Sequence, residues 1–147
     1  MEEIPLNEWG KIQLRVVACV VFMGLLVGFV FTHDDDVTES PYIDVVKDGH
    51  LDHYSETTVS KAFNYYFIKP YWRYYEARTG EHVVELSGTA MYAGEEGEAS
   101  LQFIVEDDQS AFQLGALKVN NIVQEREDKN TLIEAVYTAW NNSNVVH

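Results

Sequence analysis

One cysteine among 147 residues leaves no disulfide framework and no multi-cysteine zinc site for this chain to be built on. Basic residues are also scarce: 10 Lys and Arg stand against 24 Asp and Glu, and the resulting charge of −14 excludes the basic face that nucleic acid requires. No serine sits in a Gly-x-Ser-x-Gly context, and the one thiol, Cys19, falls inside an apolar run, so no activated nucleophile is presented. Acid–base chemistry needs two carboxylates held in a cleft, whereas Glu95, Glu96, Glu106, Asp107 and Asp108 fall where turns are expected. The chain is therefore expected to be non-catalytic and to use no cofactor.

What the sequence does have is a long hydrophobic run. Residues 16–31 carry no charged or strongly polar side chain, and a helix of about 17–20 residues covers a hydrocarbon core of about 30 Å. A transmembrane helix is expected over residues 16–32, after a short cytoplasmic segment, 1–15. The run ends Gly28-Phe29-Val30-Phe31-Thr32 and passes straight into His33-Asp34-Asp35-Asp36. Signal peptidase needs small residues that this junction lacks, so the span reads as an uncleaved anchor. Val16-Val17-Ala18-Cys19 superficially matches a lipidation site, but its apolar stretch follows the cysteine instead of preceding it. Lys11 and Arg15 precede the span, and only Lys47 and Lys61 occur in residues 33–68, so the positive-inside bias places the N-terminus in the cytoplasm and the remainder outside. Within the span Gly24 and Gly28 form a small-xxx-small pair that permits close helix packing and self-association.

Residues 33–42, HDDDVTESPY, lack periodicity and read as an acidic tether. Their three aspartates have neither the spacing, the glycine nor the distal Glu of an EF-hand loop. Residues 43–147 are expected to form one extracytoplasmic α+β domain of order α-β-β-β-β-α, a four-stranded antiparallel meander packed against amphipathic helices. Residues 43–48 supply one or two helical turns closed by Gly49. Thr57 or Thr58 caps a helix whose apolar stripe is Val59, Ala62, Phe63, Tyr66 and Phe67, and Pro70 stops it. Strands are expected over 72–77, over 82–92 with a bulge at Gly88, over 101–105 and from Phe112 to about Val119, with a turn at 93–97. A final helix spans 125–140 on the stripe Leu132, Ile133, Val136, Tyr137 and Trp140, and Asn141-Asn142-Ser143-Asn144 breaks it.

The run Val46-Lys47-Asp48-Gly49-His50-Leu51, then Tyr54, Thr58-Val59-Ser60-Lys61-Ala62-Phe63, Trp72 and Gly80 continues with Val83-Val84-Glu85-Leu86-Ser87-Gly88. Gln102-Phe103-Ile104-Val105 and Phe112-Gln113-Leu114-Gly115-Ala116-Leu117 complete it. This order resembles a family of small bacterial extracytoplasmic domains that follow a single transmembrane helix or a lipoprotein signal, sometimes after a zinc ribbon. The resemblance spans residues 43–140. It implies a bacterial envelope address, in the inner membrane, and a compact α/β unit, but no activity. The chain departs from the zinc-ribbon members in having only residues 1–15 before the span and no cysteine pair there.

Two features are candidates for binding. Tyr65-Tyr66-Phe67, Tyr71-Trp72 and Tyr74-Tyr75 concentrate aromatic rings, and strand alternation puts Trp72 and Tyr74 on one side with Tyr71, Arg73 and Tyr75 on the other. That second side is either a binding surface or a cross-strand ladder. His50-Leu51-Asp52-His53 is the densest group of metal-ligand types, but it follows a glycine and lacks a second ligand pair, so no metal is expected. The preferred reading is a single-pass envelope protein acting through a protein partner or self-association. The alternative is a module that senses a glycan, peptide or cation through the aromatic strand or the His50–His53 segment.

Overall fold

The structure, a computed structural model, describes residues 37–145. The expected membrane span at 16–32, with Gly24 and Gly28, lies outside the described residues, and among those described no helix is long and apolar enough to cross a membrane.

Helix α1 (Pro41–Asp48) begins two residues before the apolar pattern does, because Ser40 caps it: its hydroxyl accepts from the Tyr42 N–H at 3.3 Å, and Pro41 suits the first turn. Gly49 ends it, and a Cβ there would meet both the Phe112 ring and the Val45 carbonyl. Helix α2 (Val59–Tyr66) buries Val59, Ala62 and Phe63 as the spacing predicts; Phe67 is also buried but lies one residue past the helix.

Five strands follow in the order β1 (Ile68–Glu76), β2 (His82–Tyr92), β3 (Glu95–Val105), β4 (Phe112–Val119) and β5 (Ile122–Val123), each antiparallel to its neighbour in a simple meander. The four-stranded expectation is corrected to five. Asn120 and Asn121, read as the end of a strand, both adopt positive φ (50° and 66°) and form a two-residue hairpin turn into β5. The expected five-residue turn at 93–97 also shrinks to two residues, Ala93 and Gly94, again at positive φ. Glu95 and Glu96 are exposed positions of a strand rather than loop residues. Pro70 lies inside β1, not in a helix-ending turn. It is tolerated because β1 is an edge strand whose register shifts between Ile68 and Tyr71, with Lys69 at φ 53°. Gly88 sits opposite that bulge, where a Cβ would come within 2.9 Å of the Ile68 carbonyl oxygen.

Helix α3 (Arg126–Asn144) buries Leu132, Ile133, Val136 and Tyr137. It runs through 141–144 instead of breaking there, since the Ser143 hydroxyl and the Asn144 amide both donate to the Trp140 carbonyl, at 2.6 and 3.1 Å. The core forms between the helices and the sheet face that carries Trp72, Val84, Leu86, Leu101, Phe103 and Leu117. Phe63 is at its centre, edge-on to Phe103 and Tyr137 with centroids 6.1 and 5.9 Å away. Helix α1 is fastened to the sheet by Tyr42, whose ring stacks on Tyr74 at 4.9 Å and on His82 at 4.2 Å.

Candidate functional site

The face of the sheet opposite the core is built by residues one step out of phase with it. In register across β1, β2 and β3 are Arg73, Glu85 and Gln102, flanked by Tyr75 opposite Val83. The Arg73 Nε and Nη2 donate to Glu85 Oε1 at 2.9 and 2.6 Å. Gln102 Nε2 donates to Glu85 Oε2 at 3.2 Å and to the Tyr75 hydroxyl at 2.8 Å. Tyr75 is on β1 and Gln102 on β3, so the phenol reaches across β2, which explains why Val83, Glu85 and Gln102 are buried on this face. The Arg73 guanidinium lies 5.3 Å from the centroid of the Tyr75 ring. Burial, and then the Glu85 charge, push the Tyr75 phenol well above its usual pKa, with Arg73 acting in the opposite sense.

Two of the three candidate residues, Arg73 and Tyr75, are thus brought together as members of a cross-strand ladder. Tyr71 is not part of it and stays 43% exposed, on the strand that also carries the exposed Ile68. Glu85 and Gln102, which complete the ladder, were not singled out by sequence. The available signal was a polar residue interrupting an apolar strand, in Val83-Val84-Glu85-Leu86 and Leu101-Gln102-Phe103.

The two margins of the sheet, β1 on one side and the part of β4 that the two-residue β5 leaves uncovered on the other, are treated differently. On β4, Lys129 of α3 donates from Nζ to the Gly115 carbonyl at 2.8 Å, with its pKa lowered by burial and then by Arg126. On β1, among the described residues, only Val37 pairs from outside, its carbonyl accepting from the Tyr74 N–H at 2.8 Å.

A second candidate lies where the loop after α1 meets the start of β4 and the first turns of α3. His50, Asp52 and His53 line a cleft of about 510 Å³ with Gln113 and Asn130, over a floor that includes Ile133. The loop reading of residues 50–53 is observed, with His53 at φ 71°, and Leu51 is buried beneath it. Gln113 and Asn130 are distant in sequence and carried no signal. A smaller recess of about 170 Å³ shares His53 and Tyr54 with the cleft and is lined by Tyr137. Tyr137 is 2% exposed, and its hydroxyl has no hydrogen-bond partner among the described residues. Burial raises its pKa, with Tyr54 adding to the shift; the Tyr54 ring stacks on it at 3.9 Å. Among the described residues no group of three or more His, Cys, Asp or Glu side chains is placed to hold a metal ion. Comparison with known protein families, with curated proteins and with solved structures found no match.

Proposed function

We propose that this chain is a non-catalytic, single-pass protein-interaction module of the bacterial envelope, with its N-terminus in the cytoplasm and the α+β domain outside the inner membrane. The apolar run at 16–32, its basic N-terminal flank and the resemblance to small extracytoplasmic domains support the address. The observation that carries the interaction reading is the β1 margin. An edge strand presents unpaired backbone groups to a partner, and here the exposed side chains of Ile68 and Tyr71 accompany it. Arg73 and Tyr75 support this margin by holding its outer face rigid. A photo-crosslinking residue placed at position 71 of the full chain in its native membrane should capture a defined partner, or a second copy of the chain, whereas one at the exposed Glu134 should not. Identical products from both positions would remove the β1 margin from consideration.

A second reading, a module that binds a small ligand, is favoured by the cleft between the His50–His53 loop, β4 and α3. It has the concave shape and convergent polar groups that small-molecule sites require.

A further inference from the structure

Resting on that second reading, we infer that the cleft binds the ring of a neutral pyranose sugar. Its volume of about 510 Å³ lies within the range of about 300–1,000 Å³ usual for small-molecule sites. The polar side chains facing it are unspent. The side chains of His50, Asp52, His53, Gln113 and Asn130 form no hydrogen bond among the described residues, so their donors and acceptors are available to a ligand. The adjoining recess is lined by Tyr137, whose buried hydroxyl is satisfied by no group among the described residues. A buried polar atom left unpaired destabilises the free protein and becomes a favourable contact once something pairs with it.

The chemistry of the lining selects the ligand class. Neither Lys nor Arg lines the cleft or the recess, and Asp52 and Glu56 border them, so an anion is repelled. The absence of a convergent ligand triad among the described residues argues against a metal ion. Amides and imidazoles each both donate and accept, which matches hydroxyl groups that do the same. Tyr54, immobilised against Tyr137, and the half-buried Phe112 add the apolar surface that the C–H faces of a pyranose require. An organic amine would use the two carboxylates and leave the amides idle.

The test titrates the full chain, held in a polyoxyethylene detergent that has no sugar headgroup, with methyl β-glucopyranoside, cellotetraose, putrescine and zinc chloride. Binding is followed by saturation-transfer NMR and by the imidazole resonances of His50 and His53. The sugars should bind saturably in the millimolar range and shift both imidazoles. Asn130→Ala and Gln113→Ala, both at exposed positions, should each weaken sugar binding about fivefold or more with the thermal midpoint unchanged, while Thr138→Ala leaves it as it was. Cellotetraose binding more tightly than the monosaccharide would identify a chain-embedded glycan, and equal affinity a free sugar; either agrees with the inference. Saturation by putrescine or zinc but not by the sugars overturns the ligand class and leaves the ligand-binding reading standing. Silence from all four probes, or sugar binding indifferent to Asn130→Ala and Gln113→Ala, overturns both.

Discussion

Replacing Tyr137 by Phe should stabilise this protein, against the usual direction of a core substitution. The ring is 2% exposed and packs face to face on Tyr54 at 3.9 Å and edge-on to Phe63 at 5.9 Å, contacts that a phenylalanine keeps. What it removes is one hydroxyl that the fold desolvates without a partner. Leaving such a group unsatisfied costs about 1–3 kcal/mol. Loss of dispersion contacts on deleting the oxygen, and partial satisfaction in the unfolded chain, reduce the net gain to about 1 kcal/mol. For a folded unit of roughly 110 residues that corresponds to a rise in Tm of about 4 °C. Urea and thermal unfolding of the full chain in a mild non-ionic detergent, followed by near-ultraviolet circular dichroism, would measure it. A loss of 1 kcal/mol or more would falsify the reasoning, because it would mean that the hydroxyl is paired in solution, with a water in the recess as the available partner.

Three further outcomes follow from the same geometry. Glu85→Ala should cost about 2 kcal/mol, less than a fully buried pair because the Arg73 side chain is 34% exposed and can rehydrate, and Glu85→Gln, which keeps an acceptor for Gln102, about half of that; equal costs by urea denaturation would show that the Gln102 contact is worthless. Gly88→Ala should cost about 1–3 kcal/mol, since its Cβ would press on the Ile68 and Lys69 carbonyl oxygens at 2.9 and 3.2 Å, whereas Gly97→Ala, whose nearest neighbours are side-chain atoms of Asn120 at 3.1 Å and beyond, should cost less. Stability should also fall as the pH rises past 10, the ordinary phenol value: folded Tyr75 and Tyr137 have raised pKa values and keep protons that the unfolded chain releases. Their contribution is complete below that pH and is lost above it, so in urea melts from about pH 8 to about pH 11 Tyr137→Phe should decline less steeply than the parent.

Local chemistry made the elements legible. Val59, Ala62 and Phe63 on α2, and Leu132, Ile133, Val136 and Tyr137 on α3, occupy the buried stripe that their spacing implies, because a helix without such a stripe has nothing to pack on. Alternation likewise separated Trp72 and Tyr74 from Arg73 and Tyr75, whereas the bulge expected at Gly88 lies on the facing strand β1, between Ile68 and Tyr71, and Gly88 makes room for it. Boundaries failed where charge or amide content imitated a loop. Glu95 and Glu96 belong to the end of a strand that is solvated on both faces, and Asn120-Asn121 is a tight turn rather than a terminus. The hydrogen bonds that rescue such residues are made to neighbouring strands, which a linear reading does not see.

The candidate sites divide in the same way. The sequence by itself determined the apolar run, the deficit of basic residues and the placement of Tyr71, Arg73 and Tyr75 on one side of a strand, since these depend only on composition and on a period of two. Only the tertiary structure decided what those side chains do. Register sets Glu85 beside Arg73 and Gln102 beyond it, which turns Tyr75 from a free ring into a cross-strand strut and leaves Tyr71 as the exposed member. It also brings Gln113 and Asn130 to His50 and His53, and encloses the Tyr137 hydroxyl without a partner. Those juxtapositions come from how β4 and α3 pack around one core, and no periodicity in the chain encodes a contact between residues so far apart.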